Sequence, residues 1–214
     1  MLVNEIFSSI EGEGIRTGYP VTFIRLFGCN IECPYCDTKY ACKGNDFVKM
    51  SVSEIVDKVK ELGFKRVTIT GGEPLIHRDI DSLLFTLRFL GYEVNIETNG
   101  TVYVGQYVEY DSFILTVDYK SISSGMNNKM DLSNLSVLQK KDVLKFVVGT
   151  VEDLEDMKRV LDEYKPLCHI FVSPVFGQIE PVEIVNFIKD NKLDNCRVQV
   201  QLHKIIWDPL ERGV

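Results

Sequence analysis

No apolar run in the 214 residues approaches the roughly 20 needed to cross a bilayer, so the sequence offers no membrane span. The opening Met1-Leu2-Val3-Asn4-Glu5 lacks the basic-then-apolar pattern of an export signal, which leads to an expected place in the cytosol. There is no internal repeat, low-complexity tract, long run of one charge or linker-like stretch, so a single domain is expected over 1–214. Positive charge is in short supply: 24 Lys and Arg against 31 Asp and Glu give a formal net charge of −7. That balance argues against a broad grip on nucleic acid or anionic lipid while leaving room for a local basic pocket. Histidine is scarce as well. His77, His169 and His203 each admit a structural reading beside a catalytic one. What remains, 45% hydrophobic and 26% charged, is the balance of an ordinary globular protein.

Short β-branched or aromatic runs recur at 21–27, 66–70, 93–97, 113–118, 143–148, 169–173 and 197–201, with amphipathic stretches between several of them. Residues 51–62 read as a helix: Ser51-Val52-Ser53-Glu54 is a capping box, Ile55, Val56, Val59 and Leu62 share one face, and Gly63 is a stop. Helices are also expected from about 77 to 90, 151 to 164 and 181 to 190. Strand–helix alternation in units of this length predicts parallel strands with right-handed crossovers. A complete eight-unit barrel needs about 250 residues. The fold class expected is therefore α/β with about six parallel strands, an incomplete TIM-like barrel or an open sheet, with chemistry where strands end and loops begin.

Of six cysteines, three cluster. Cys29, Cys33 and Cys36 follow the strand 21–27 directly with spacing C-x3-C-x2-C. Three thiolates on one short turning loop can converge on a [4Fe–4S] cube and leave its fourth iron open to an external ligand, since four cysteines normally complete such a site. Two other readings stay open here: structural zinc with Cys42 as fourth ligand, and a redox pair at Cys33 and Cys36 that leaves Cys29 unexplained. Cys42, Cys168 and Cys196 read as ordinary cysteines. Further along, Thr70-Gly71-Gly72-Glu73-Pro74 and Glu97-Thr98-Asn99-Gly100-Thr101 each follow a strand and each reads alone as a turn. Arg25 stands inside an apolar β run, so it should reach an anionic ligand or an internal carboxylate. Gln199, Gln201 and His203 alternate along the expected last strand, facing a partner subunit or the substrate. The stretch 121–139 reads as a lid or a surface loop.

The cysteine spacing, with Tyr35 just before Cys36, resembles the cluster loop of radical S-adenosylmethionine (SAM) enzymes. The resemblance implies that the open iron chelates SAM through its amino and carboxylate groups, and that cleavage of the sulfonium yields a 5′-deoxyadenosyl radical. It implies a SAM-holding loop at Gly72 and Glu73, with Glu73 accepting from the SAM amino group, a ribose-facing loop at Glu97 and Asn99, and adenosyl contacts from Tyr35, Cys36 and Asp37. Asp118-Tyr119-Lys120-Ser121 departs from the Ser-Pro-Lys that many relatives carry.

Within that superfamily, Ile10-Glu11-Gly12-Glu13-Gly14, the Phe-x-Arg-Leu-x-Gly-Cys-Asn lead into the cluster, Cys36-Asp37-Thr38 and the ending from Gln201 to Val214 resemble the 7-carboxy-7-deazaguanine synthase family over nearly the whole chain. That family usually has Gln where Glu11 stands. The resemblance implies conversion of 6-carboxy-5,6,7,8-tetrahydropterin to 7-carboxy-7-deazaguanine with loss of ammonia, on the route to queuosine and related 7-deazapurines, started by hydrogen abstraction from the pterin C6. It places Ile10, Glu11, Gly12, Arg25, Thr70 and Val214 around the pterin, Mg²⁺ on Thr38, and Val214 in a tail that closes the pocket. It further implies a homodimer and a one-electron donor such as flavodoxin or ferredoxin, with no direct nucleic-acid or membrane partner. Two other readings are carried forward: an activase of a glycyl-radical enzyme, which needs an open docking face, and a zinc-stabilised binding module without catalysis.

Overall fold

A computed structural model describes residues 1–209 and 211–214. Its frame is one nine-stranded sheet: β1 (Leu2–Ile10), β2 (Pro20–Leu26), β3 (Val48–Lys49), β4 (Arg66–Gly71), β5 (Glu93–Thr98), β6 (Phe113–Tyr119), β7 (Val143–Val148), β8 (His169–Pro174) and β9 (Cys196–Val198). The spatial order is β3-β1-β2-β4-β5-β6-β7-β8-β9. From β2 to β9 every neighbouring pair is parallel, whereas β1 runs antiparallel to both β2 and β3. Each parallel strand lies beside its predecessor, so the winding never reverses as it does in a doubly wound sheet. The sheet stays open between β3 and β9. This is the partial barrel expected, with seven parallel strands instead of about six.

The helices α1 (Val52–Leu62), α2 (Ile80–Phe89), α4 (Val151–Tyr164) and α5 (Pro181–Asp190) cover one face of the sheet only; α3 (Asn134–Val137) and α6 (His203–Ile206) are single turns. Ser51 and Glu54 form the expected capping box on α1, and Gly63 ends it at φ 78°. Because side chains alternate across a strand, the two faces differ. Ile24, Val67, Ile69, Val94, Ile96, Leu115, Val117, Leu144 and Phe146 are buried in the core that takes in Ile55, Val59, Leu83, Leu87, Leu154 and Met157 of the helices. The opposite face carries Arg25, Thr68, Thr70, Asn95, Glu97, Thr116, Asp118, Lys145 and Ser173. Register sets Arg25 beside Thr70, Thr68 beside Asn95, Glu97 beside Thr116 and Asp118 beside Lys145. The concave side of the barrel is therefore polar, and that is where the site lies.

The amino-terminal segment corrects the sequence reading. No strand was expected ahead of 21–27, yet Leu2–Ile10 is the antiparallel strand β1, paired with β2 from Val3 to Ile10 with one irregularity between Val3 and Glu5. The following loop then turns into the barrel. Glu11 is 3% exposed and Arg16 6% exposed, which no surface turn would be. Arg16 donates to Glu11 Oε2 at 3.1 Å and to Thr68 Oγ1 at 2.5 Å, and Thr68 in turn donates to Glu11 Oε2 at 2.6 Å. The loop thus fills the lower part of the polar face. The last strand is shorter than 197–201: it ends at Val198, and His203 belongs to α6. The segment 121–139 packs instead of standing free. Ser121, Ser124 and Asn134 are fully buried, and Asn134 Nδ2 donates to the carbonyls of Gly100 and Val102. No helix among the described residues is long and apolar enough to cross a membrane.

Candidate active site

The segment 27–38 leaves the carboxyl end of β2 without helix or strand and brings Cys29, Cys33 and Cys36 to the wall of one cavity of about 460 Å³. All three are free thiols. Asn99 Nδ2 donates to Cys29 Sγ at 3.6 Å, and Thr38 Oγ1 lies 3.6 Å from Cys36 Sγ. Cys42 is not the ordinary cysteine expected. It borders the same cavity, its Sγ donates to the Thr38 carbonyl at 3.5 Å, and the influence of its thiol is the chief cause that brings Cys29 and Cys36 down to about 6 against the opposing effect of burial. A metal ligand must be a thiolate, so two of the trio are set up for ligation near neutral pH. Among the described residues no three His, Cys, Asp or Glu side chains are gathered closely enough to hold a single metal ion.

The rest of the cavity wall fits a polar organic cofactor. Tyr35 Oη and Asp118 Oδ1 are buried there without a hydrogen-bond partner, a state that buried polar atoms seldom keep unless a ligand serves them. Lys120 pairs with Asp118 Oδ2 at 2.8 Å; burial disfavours its charge, yet the Asp118 carboxylate raises it well above the usual lysine range. Gly72 and Asn99 border the cavity as expected. The glycine pair, however, is dictated by the neighbouring backbone: Gly71 has φ +125°, and a Cβ on Gly72 would sit 1.9 Å from the Gly28 carbonyl oxygen.

Glu73 is placed differently from the expectation. It is fully buried, and it does not line the cavity. Oε1 accepts from the Leu75 N–H at 3.0 Å and the Thr98 hydroxyl at 2.8 Å, and Oε2 accepts from the Asn99 N–H at 2.6 Å. Burial pushes its carboxyl up to about 7 despite those donors. Its side chain braces the two loops.

A smaller cavity of about 160 Å³ adjoins the first and is bordered by all six residues expected around the pterin: Ile10, Glu11, Gly12, Arg25, Thr70 and Val214. Of the two alternatives raised for Arg25, the structure shows the internal carboxylate. Its Nε donates to Glu5 Oε1 at 2.7 Å, and the residue borders both cavities. Burial, reinforced by the Glu97 charge, holds the Glu11 carboxyl at about 7 against the pull of Arg16 and Thr68. Asp37 borders this smaller cavity, not the cysteine-lined one, and Lys204 Nζ pairs with it at 3.0 Å. Gln199 Oε1 accepts from the Gly14 N–H, Gln201 reaches Glu13 at 3.5 Å, and Leu202 N–H donates to the Gly12 carbonyl, so the row 199–203 turns inward to the site. His203 borders the cavity; His77 and His169 do not border either one.

Sequence reasoning missed Lys145 and Glu13. Lys145 Nζ meets Glu13 Oε2 at 3.2 Å, Ser173 Oγ donates to Glu13 Oε1 at 3.0 Å, and Lys145 borders both cavities. A lysine in the apolar run 143–148 is the same signal that singled out Arg25.

The comparisons agree with this geometry. Residues 23–165 match the Radical SAM superfamily. The chain is 45% identical over 217 aligned positions to 7-carboxy-7-deazaguanine synthase of Clostridium acetobutylicum, covering 99% of this chain and 98% of that one. It is 41% identical to the enzyme of that name from Methanospirillum hungatei, covering 98% of this chain and 86% of the relative. The crystal structure of QueE from Escherichia coli superposes with a TM-score of 0.75 at 26% identity, covering 94% of each chain. Neither the activase nor the zinc module is favoured. The chain belongs to the radical SAM superfamily and, within it, to the 7-carboxy-7-deazaguanine synthase family.

Proposed function

We propose that this chain converts 6-carboxy-5,6,7,8-tetrahydropterin to 7-carboxy-7-deazaguanine with release of ammonia. The observation that carries the reading is the shared wall of the two cavities: Arg25, Thr38, Thr70, Glu97 and Lys145 border both, so a substrate in the smaller one abuts whatever the cysteines hold in the larger. Cys29, Cys33 and Cys36 would hold a [4Fe–4S] cluster, and Tyr35, Gly72, Asn99 and Asp118 would surround SAM. Bound together, cluster and SAM supply the radical that takes hydrogen from the substrate.

The chain's own residues then have distinct tasks. Arg25, fixed by Glu5 and bordered by the rings of Phe7 and Tyr40, offers its guanidinium to the pterin carboxylate. Glu11 and Thr70 offer acceptors and a donor to the ring edge. Glu13 keeps Lys145 charged although burial opposes that charge, which gives the site a fixed cation beside the reacting ring. The segment 199–203, strapped to Gly12 and Gly14, excludes water while the ring contracts.

The same proposal includes Mg²⁺ on Thr38 with substrate oxygens, which suits an ion that keeps waters and takes few protein ligands. Glu97, expected at the SAM ribose, borders both cavities and is assigned to either ligand on that ground. The proposal extends to a homodimer, for which exposed Val200, Ile205 and Ile206 near the open β9 edge speak, to a one-electron donor such as flavodoxin or ferredoxin, and to a cytosolic setting. Anaerobic reconstitution followed by assay with the carboxypterin, SAM, Mg²⁺ and reductant tests it. Formation of the deazaguanine supports the assignment; a loaded, reduced protein that leaves the carboxypterin unchanged overturns it.

A further inference from the structure

One side chain fastens the segment 211–214 to β1 and to the chain between β2 and β3. Arg212 sets its Cζ 3.8 Å from the centroid of the Tyr40 ring, donates to Asp46 Oδ2 at 2.9 Å and donates to Asn4 Oδ1 at 3.4 Å. The two polar partners are themselves joined, since Asn4 Nδ2 donates to the Asp46 carbonyl at 2.6 Å. An exposed ion pair alone contributes little, but here a planar guanidinium stacks on an aromatic face and pairs with a carboxylate at once. Two residues further on, Val214 borders the smaller cavity, and Gly213 between them takes φ 74°, a left-handed turn that a side chain would oppose. Tyr40 also leads inward. Its hydroxyl donates to Glu5 Oε1 at 3.3 Å, the oxygen that accepts Arg25 Nε, and its ring lies 5.9 Å from the Arg25 Cζ.

We infer that Arg212 is a positioning residue for the substrate: latched on Tyr40 and Asp46, it holds Val214 at the smaller cavity. Neither Arg212 nor Tyr40 borders either of the two cavities, so the latch acts through the residues that do. On one side it sets Val214 beside the substrate. On the other it seats the Tyr40 ring, whose hydroxyl helps Glu5 to hold Arg25. Release of the guanidinium frees the tail from that wall and leaves the Tyr40 ring without its outer partner. A substrate that meets Val214 and Arg25 together binds the latched form, so its apparent affinity falls with the latched fraction. Once substrate is bound the latch is closed, and the loss therefore belongs in KM and not in kcat. The inference rests on the proposed function in assigning the smaller cavity to the carboxypterin, but the latch itself is tested without any pterin.

Arg212 is itself a tryptic site, which makes the latch directly readable. Trypsin must take the guanidinium into its own pocket, so the cut before Gly213 requires that Arg212 has left Tyr40 and Asp46. With dilute protease the rate follows the released population. Reconstituted full-length protein is sampled early, and loss of the Gly213-Val214 dipeptide is followed by mass spectrometry. Tyr40→Leu and Asp46→Asn should each speed this cut about two- to fivefold, with cuts inside the barrel unchanged. Tyr40→Phe keeps the ring face and should be cut at the wild-type rate. Asp46 is an exposed side chain, so Asp46→Asn leaves the fold intact and carries the test even if Tyr40→Leu is unstable. In turnover, Arg212→Ala should raise KM for the carboxypterin about threefold or more while kcat and the cluster absorbance hold. Arg212→Lys, which keeps the charge and loses the planar face, should fall between it and the wild type. Equal tryptic rates in wild type and Asp46→Asn overturn the latch, as does a wild-type KM, or a fall in kcat alone, in Arg212→Ala. A wild type that leaves the carboxypterin unchanged overturns the proposed function instead, and the tryptic rates then decide the latch by themselves.

Discussion

The Glu73 carboxylate accepts the backbone N–H of Asn99 at 2.6 Å, tying the glycine loop after β4 to the loop after β5 through one fully buried side chain. The same carboxylate takes the Leu75 N–H and the Thr98 hydroxyl. Glu73→Ala leaves these donors buried and unserved, at about 1–3 kcal/mol for each unpaired group. The variant should unfold at markedly lower urea concentration and, since both loops border the larger cavity, bind SAM more weakly. If SAM affinity fell while the urea midpoint stayed put, Glu73 would be a ligand contact after all.

Much of this architecture was readable because the strands alternate. Thr68 and Thr70, Asn95 and Glu97, and Thr116 and Asp118 each interleave with apolar residues, and in a parallel sheet covered by helices on one face such a pattern means a polar cavity on the other. β1 escaped because Asn4, Glu5, Ser8 and Ser9 are poor strand formers; its partner β2, some 10 residues or more away, makes it a strand. β9 was drawn too long because the alternation of Gln199 and Gln201 continues past the point where their side chains turn to Gly14 and Glu13. The six residues expected around the pterin were singled out through motif likeness, and the structure brings all of them to the border of the smaller cavity. Arg16 carried no local signal: its role exists only once Glu11 and Thr68 are brought together from 57 positions apart.

Glu11 and Glu73 should give the chain a pH dependence of definite sign. Both carboxyls stand at about 7 in the folded chain against an ordinary 4.5, in each case chiefly through burial. The native state therefore holds protons that the unfolded chain releases across that window, so their contribution to stability is complete below about 4.5, falls as pH rises to about 7, and is flat above. Glu11→Gln removes one of the two titrations. Urea unfolding of both proteins at about pH 5 and about pH 8 should show a smaller loss in the variant than in the wild type. An equal loss in both would remove Glu11 from this account.

Arg25 is held by Glu5 at 2.7 Å and borders both cavities. Charge-assisted hydrogen bonds contribute roughly 1.5–3 kcal/mol, about ten- to a hundredfold in affinity. Arg25→Lys keeps the charge and loses the planar fork, so KM for the carboxypterin should rise by about that factor. Glu5→Gln, which only loosens the guanidinium, should cost less. Steady-state kinetics on the three proteins settle the order, and an unchanged KM in Arg25→Lys would move the carboxylate contact elsewhere.

The cluster trio can be separated from the other cysteines by colour. Cys29→Ala, Cys33→Ala and Cys36→Ala should each come through anaerobic reconstitution without the broad absorbance near ~400 nm and without turnover. Cys168→Ala and Cys196→Ala should keep both, because neither residue borders the cavities. Retention of a full iron complement by any of the first three would break the ligand assignment.

Gly12 tests whether the segment around His203 shapes the smaller cavity. A Cβ at position 12 would stand 2.2 Å from His203 Nδ1, and Leu202 N–H donates to the Gly12 carbonyl, so the two segments meet without space for a methyl group. Gly12→Ala must push the imidazole, and with it residues 202–204, away from the cavity that both residues border. The segment also carries Lys204, whose ammonium pairs with Asp37 next to Cys36. The expected outcome is a KM for the carboxypterin raised about tenfold or more, for a loss near 1.4 kcal/mol, with the cluster absorbance unchanged. His203→Ala frees the space that the new methyl needs. In the double variant the two penalties should therefore sum to less than their separate values, the signature of residues in contact. Strict additivity of the two substitutions in KM would mean that Gly12 acts on the substrate through something other than the imidazole beside it.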